Sequence, residues 1–172
     1  GISLRKKTLG IIGLGDIGKN IAKRANALNL NIIGWDPFPK DLEDYIDFQS
    51  NWPSKIENCD FLIFACALTK ENHHIFSEKI LDKIKTSLRI INISRGPLID
   101  EKALIKGLES GKIHSAALDV YEEEPLRKNH QILNHSRCIL GSHNASNTIE
   151  AVMRASNQAI DILHKSLINM DT

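Results

Sequence analysis

An apolar run meets three glycines at Lys7–Gly18, KTLGIIGLGDIG, where Gly13, Gly15 and Gly18 take the spacing G-x-G-x-x-G. Thr8–Gly13 hardly alternates between apolar and polar, the pattern of a strand covered on both faces. The chain must then turn tightly and open directly into a helix. Gly13 can take turn dihedrals closed to other residues, and Gly15 lets backbone amides approach a pyrophosphate. Gly18 lets the new helix pack close against the strand. The helix N-terminus supplies unpaired N–H groups and partial positive charge, which together make an anion site. Taken alone, the motif also fits a glycine-rich turn with no ligand. The rest of the chain decides.

The next elements arrive in the order a dinucleotide site requires. Asp16–Leu28 reads as a helix, with Ile17, Ile21, Ala25 and Leu28 on one face. Asn31–Trp35 is a second strand, ending at Asp36 before Pro37, where the chain is biased to extended geometry. Asp36 lies eighteen residues past Gly18, close to where a carboxylate accepts hydrogen bonds from an adenosine ribose. No Arg follows it closely, and a carboxylate repels a 2′-phosphate, so NAD is expected rather than NADP.

Beyond Asp36 the pattern repeats in coarser form. Pro37–Asn51 is polar, with a short edge strand near Ile46–Gln49, and Pro53–Asn58 reads as a short helix. Phe61–Ala65 is counted as the third strand, and Thr69–Phe76 as a loop. Ser77 caps a helix to about Ile84, and Leu88–Ile93 is the fourth strand. Asp100 caps a helix over Glu101–Ser110 that Gly111 ends. Ser115–Asp119 and Arg137–Leu140 are the fifth and sixth strands. A last helix runs from about Asn147 to Ile168, and its small face of Ala151, Ala155 and Ala159, with Ile162, suits close packing on the sheet. Alternating strands and helices predict an α/β fold with a doubly wound parallel (Rossmann) sheet, three-layer α/β/α, in a single domain, with strand order 3-2-1-4-5-6. Ligands on such sheets bind outside the carboxyl ends of the strands. That edge gathers Gly15, Asp36, Arg95, Asp119, Glu124 and His143.

Composition narrows the function classes. Lys+Arg 22 against Asp+Glu 21 gives a formal charge of +1, so there is no global electrostatic footprint for nucleic acid or membrane. No apolar run approaches the roughly 18 residues needed to span a bilayer. Cys59, Cys66 and Cys138 share no metal-ligand spacing, which fits a reducing, cytoplasmic compartment. His73 and His74 lack an acidic or Cys partner at ligand spacing, so they read as solvated surface, and no metal site is expected.

Four ordered stretches, Thr8–Gly18, Ile91–Asp100 (INISRGPLID), Ala116–Pro125 (AALDVYEEEP) and Leu140–Ala151 (LGSHNASNTIEA), resemble the D-isomer-specific 2-hydroxyacid dehydrogenases. The resemblance runs along essentially the whole chain. It implies catalytic roles for Arg95, Glu124 and His143, and coenzyme contacts at Asp16, Ile17, Asp36, Ile93, Ser94 and Arg95. It places Asp119 at the carboxamide and His143, Asn144, Ala145 and Ser146 along the nicotinamide side. Thr69 joins the coenzyme set from the loop after Phe61–Ala65. Arg offers a planar fork for a 2-oxo acid. Imidazole exchanges protons near neutrality, which suits a general acid/base at His143. Spacing alone does not choose among Glu122, Glu123 and Glu124; the family's Glu-Pro step selects Glu124, which would orient the imidazole.

The chain departs from the family pattern at Ser142 and Ala67, where Pro is usual, and at Asn144–Asn147, where a Gly-rich turn is usual. It opens without Met, at the first strand of the nucleotide domain. The expectation is therefore an NAD-binding domain over residues 1–172 with the substrate-binding domain absent, binding NAD but turning over slowly or not at all. The resemblance also implies a small 2-hydroxy/2-oxo acid substrate and a homodimer through the coenzyme domain. The competing reading is an NAD(H)-sensing binding module of the same fold. A formate dehydrogenase is disfavoured by Glu124, because that site resembles this one but has Gln in the acidic position.

Overall fold

Seven parallel strands form one sheet in the computed structural model, which describes residues 1–38 and 43–168. In chain order the elements are β1 (Thr8–Ile12), α1 (Asp16–Ala27), β2 (Asn31–Trp35), β3 (Phe48–Ser50), β4 (Phe61–Phe64), α2 (Glu78–Leu81), β5 (Leu88–Asn92), α3 (Glu101–Ser110), β6 (Ile113–Leu118), β7 (Cys138–Leu140) and α4 (Ile149–Ile168). The polar stretch Pro37–Asn51 lies partly outside the described residues, at 39–42.

The strands lie in the order β3-β2-β1-β4-β5-β6-β7. This corrects the expected numbering. Phe61–Phe64 is the fourth strand and pairs with β1, because the short edge strand, at Phe48–Ser50 rather than Ile46–Gln49, takes third place beside β2. One row of Cα partners crosses the whole sheet through Ser50, Trp35, Ile12, Phe64, Asn92, Leu118 and Leu140. The residues one step beyond that row include Gly13, Asp36, Ile93 and Asp119. Parallel pairing in this register is what brings distant parts of the sequence to a single edge.

Two apolar layers sandwich the sheet. Leu9, Ile11 and Ile32 meet Ala22 and Ala25 of α1 on one face. Phe64, Phe76 and Leu98 meet Leu81 of α2 and Leu104 and Leu108 of α3 on the other. Each fully buried Leu, Ile or Phe contributes about 1.5–3 kcal/mol by leaving water. α3 is bounded as the sequence requires: the Asp100 side chain accepts from the Lys102 amide at 3.0 Å, and Gly111 takes φ 75° at the far end.

Four helices differ from expectation. α1 buries Gly18, Ala22 and Ala25, whereas Ile17 and Leu28 of the anticipated face stand exposed. The reason is proximity: small residues let α1 sit against the sheet, and Ile17, in the first turn, lies at the carboxyl edge instead. α2 stops at Leu81, and Ser77 occupies its N-cap position without a side-chain hydrogen bond. Of Pro53–Asn58 only Ile56–Asn58 is helical, as a single 3-10 turn. α4 forms over Ile149–Ile168 but none of its residues is buried, so the alanine face does not pack on the sheet. Val152, Ile160 and Leu163 are all more than half exposed. A periodic apolar face states that a helix needs a partner, not which one.

At the opposite, amino-terminal edge, the buried carboxylate of Asp60 joins three segments. It accepts from the Thr8 amide at 2.9 Å and pairs with Lys85 at 2.7 Å and Lys7 at 3.5 Å. Burial alone would push this carboxyl up, but Lys85, the Thr8 amide and Lys7 outweigh it and hold Asp60 below the ordinary carboxylate range. A group depressed on folding stabilises above its unfolded value, near 3.9, and loses that contribution as pH falls through the folded value. Asp60→Asn should therefore cost about 1.5–3 kcal/mol at pH 7, the range for hydrogen bonds to charged groups. Urea unfolding at neutral and acid pH checks this: the gap between wild type and variant should close in acid.

Candidate active site at the carboxyl edge of the sheet

The glycine turn is shaped by close approach. Gly13 takes φ 95°, and a Cβ on Gly18 would lie 1.9 Å from the Gly13 carbonyl oxygen, so a side chain there would prise α1 off β1. At Gly15, by contrast, a Cβ would meet nothing within 4 Å. Gly15 is the N-cap of α1, in extended geometry, and no side chain bonds back to the first-turn amides. Open space, uncapped amides and a helix N-terminus fit a pyrophosphate. Asp36 braces the same turn: Oδ2 accepts from the Leu14 amide at 2.7 Å and Oδ1 from the Phe38 amide at 2.9 Å.

Two adjoining clefts open on this edge, sharing Ala65, Cys66 and Ala67 as a common wall. One, of about 780 Å³, is lined by Gly13, Gly15, Asp36 and Thr69 together with aromatic Phe38 and Trp52. Its size and its acid beside flat apolar walls suit an adenosine. The other, of about 510 Å³, is lined by Ile17, Ile93, Ser94 and Arg95. Asp16, although in the first turn, lines neither; its carbonyl accepts from Asn20. Gly18 is buried behind the turn.

A third cleft, of about 670 Å³, holds Glu124 and His143 with Tyr121, Pro125 and Gly141. His143 Nδ1 lies 2.8 Å from Glu124 Oε2, and Glu124 Oε1 accepts from the Tyr121 amide at 3.0 Å. The imidazole hydrogen bond holds the Glu124 carboxyl below its ordinary value, burial opposing it and the Tyr121 amide and Arg95 adding to it. Glu124 is thus an ionised acceptor, so Nδ1 carries the proton and Nε2 is left free to exchange one. The neighbouring acids go elsewhere: Glu123 pairs with Arg127, and Glu122 meets His74 and the amide of Glu101.

The turn carrying His143 is built on Asp119. The Asp119 carbonyl accepts from the His143 amide at 2.8 Å, and its carboxylate accepts from Asn144 at 3.0 Å and Ala145 at 2.8 Å. These bonds hold His143 at φ 58°, a left-handed conformation uncommon outside glycine. Asn144, Ala145 and Ser146 are exposed and line none of the three clefts.

Sequence reasoning passed over Asn92, which is 1% exposed at the end of β5. Its Nδ2 donates to the Arg95 carbonyl at 2.9 Å and its Oδ1 accepts from the Ser94 amide at 3.0 Å. It sets the turn that presents Arg95, whose Nη1 donates to the Ser94 carbonyl at 2.7 Å. An amide inside the apolar run LRIINI was the available signal. His74 also differs from expectation: it is half-buried and paired with Glu122 rather than solvated.

Cys66 lines both of the first two clefts. Burial pushes its thiol up to about 11, and the thiolate is the nucleophile, so it should react slowly at neutral pH. Its alkylation rate should climb with pH toward that value and fall on adding NADH, because occupant and reagent share one wall. Mass spectrometry of the Cys66 peptide measures both effects; a rate indifferent to NADH would contradict the placement.

Residues 1–145 match the family model for the NAD binding domain of D-isomer specific 2-hydroxyacid dehydrogenases. The chain is 39% identical over 170 residues to a D-3-phosphoglycerate dehydrogenase of Methanocaldococcus jannaschii, covering 97% of this chain and 32% of that protein. It is 38% identical over 162 residues to a glyoxylate reductase of Thermofilum pendens, covering 92% and 48%. The crystal structure of a glyoxylate reductase from Paecilomyes thermophila superposes with TM-score 0.88 at 38% identity, covering 96% of this chain and 51% of that one. The chain thus spans between a third and a half of these relatives. A match over this much of the chain shows the family: this chain belongs to the D-isomer specific 2-hydroxyacid dehydrogenase family, as its NAD-binding domain.

Proposed function

We propose that residues 1–172 are the coenzyme domain of a longer oxidoreductase that interconverts a small D-2-hydroxy acid and its 2-oxo acid with NAD(H). The substrate-binding domain lies outside this chain. The observation that carries the reading is the Glu124–His143 pair, 2.8 Å apart, at the same edge as the coenzyme clefts. When bound, the coenzyme supplies or takes the hydride at the substrate C2. His143 Nε2 then gives a proton to the carbonyl oxygen in reduction, or takes one from the hydroxyl in oxidation. Glu124 fixes the imidazole's tautomer and steadies its positive charge. Arg95 holds the substrate carboxylate or carbonyl through its guanidinium fork. Asp119, with two carboxylate lone-pair positions still open beside its amide bonds, faces the carboxamide, and His143–Ser146 flank the nicotinamide.

A homodimer through the coenzyme domain is part of this reading. No helix among the described residues is long and apolar enough to cross a membrane. Three unpaired cysteines suit the reducing, cytoplasmic setting we assign.

NADH oxidation by the full-length protein with glyoxylate, hydroxypyruvate and pyruvate is the direct test. Turnover with one of them is expected; tight NADH binding without turnover on any 2-oxo acid would favour a sensing module instead. His143→Gln should lower kcat by about 100- to 10,000-fold, the range for a lost general acid, while NADH affinity stays within about twofold, since Gln keeps a polar side chain beside the nicotinamide and removes only the proton exchange. Equal loss of both would make His143 structural. Asp36→Asn keeps an acceptor for the Leu14 amide but removes the charge, so it should relax discrimination against NADPH. Titrating Trp52 fluorescence with NADH and NADPH reads the preference, and an unchanged ratio would contradict the ribose assignment.

A further inference from the structure

Beside the catalytic pair, two acidic residues from different arms exchange backbone bonds. The Glu101 amide donates to Glu122 Oε1 at 2.9 Å, and the Glu122 amide donates to Glu101 Oε1, also at 2.9 Å. Glu101 opens α3, directly after the turn that carries Arg95, whereas Glu122 sits two residues before Glu124. Helix capping explains only half of this. The bond into the Glu101 amide serves the α3 N-terminus, which Asp100 already caps through Lys102. The return bond into the Glu122 amide caps nothing, since Glu122 belongs to no helix.

Each of the two carboxylates also faces an imidazole. His130 Nε2 lies 3.0 Å from Glu101 Oε2, and the side chains are 23% and 18% exposed. His74 Nε2 lies 3.0 Å from Glu122 Oε1, without the geometry of a hydrogen bond. His74 is itself fastened to the Arg95 arm, its amide donating to the Pro97 carbonyl at 2.8 Å. The arms also touch directly: a Cβ on Gly96 would lie 1.8 Å from the Tyr121 carbonyl oxygen. Nothing in the hydride-transfer reading uses these four side chains.

We propose that Glu101 and Glu122, with His74 and His130, form a clamp that registers the Glu124 arm against the Arg95 arm. The four are positioning residues, and the proposal rests on the catalytic reading of Arg95, Glu124 and His143. Its consequence is specific. Without the clamp, residues 121–125 relax and the Glu124 carboxylate drifts from the imidazole, while the sheet and the coenzyme clefts keep their shape.

The readout is the titration of the Glu124 carboxyl, followed by carbon-13 NMR of the glutamate-labelled chain and assigned with Glu124→Gln. The groups facing Glu124 are His143, the Tyr121 amide and Arg95. Glu122→Ala should raise its midpoint at least half as far as His143→Gln does, because either change deprives the carboxylate of its imidazole. Glu122→Gln keeps the acceptor for the Glu101 amide and should leave the midpoint near wild type. Glu101→Ala should act in the same direction as Glu122→Ala and decides the matter where the latter does not fold. Folding is monitored by NADH quenching of Trp52. A folded alanine variant in which Glu124 titrates as in wild type overturns the clamp, and so does loss of fold in both alanine variants, which assigns the cluster to stability. If His143→Gln itself leaves Glu124 unmoved, the catalytic pairing fails, not the clamp.

Discussion

The contact between Gly18 and the Gly13 carbonyl determines where everything else at the active edge can stand. With 1.9 Å between that oxygen and a Cβ that is not there, α1 begins almost on top of the end of β1. Its first-turn amides are thereby aimed across the sheet edge and left without a side-chain cap. A helix started even a few ångströms further out would still fold and still bury Ala22 and Ala25. Its first-turn amides would then no longer stand at the level of Asp36 and Ser94. The conformational entropy of three glycines is the cost of that placement.

A second device recurs around the edge. Asp36, Asn92 and Asp119 each lie at or just beyond the carboxyl end of a strand, and each spends its side chain on backbone groups of a loop. Asp36 holds Leu14 and Phe38, Asn92 holds Ser94 and the Arg95 carbonyl, and Asp119 holds Asn144 and Ala145. Loops at a sheet edge lack a ladder of their own, so their polar groups must find partners or water. Here the partners are rooted in the rigid strands. The parallel register sets the height of each brace, and the brace sets the height of the loop. That chain of causes turns a regular sheet into a site with defined distances.

The sequence shows the fold and the coenzyme side more fully than the catalytic geometry. Strand-glycine-helix-strand-acid is a local pattern with a physical reason at each step, so β1, α1, β2 and Asp36 follow from it. The strand order goes astray only because Phe48–Ser50 is too short and polar to count by periodicity. The helix faces fail for a different reason. Ile17 and Leu28 carry the larger side chains, but the sheet takes the alanines, since burial follows from how near the helix must come. For α4 the pattern shows an apolar face without showing what covers it. Glu122, Glu123 and Glu124 are equivalent by spacing; the Glu-Pro step of the resemblance points to Glu124, and the folded arm sends the three apart, one to His74, one to Arg127 and one to His143. Asn92 is hidden in plain view, as a polar residue whose partners, Ser94 and Arg95, follow two and three residues later.

The departures around His143 become intelligible on the same footing. A Gly-rich turn after the catalytic His would adopt unusual dihedrals at little cost, whereas this chain has Asn144-Ala145-Ser146-Asn147 and places the left-handed residue at His143 itself. That conformation costs a β-carbon-bearing residue roughly 1–2 kcal/mol. Three hydrogen bonds to Asp119, one to its carbonyl and two to its carboxylate, offset it. The anchoring groups are backbone amides, which any residue provides, so the identity of residues 144–147 is free to vary while the position of the imidazole is not. Ser142 is tolerated on the same ground, because the turn is held from the β6 side and not by a proline before it. What must be kept is the acid at 119 and the height of β6 and β7, from which Glu124 and His143 approach each other.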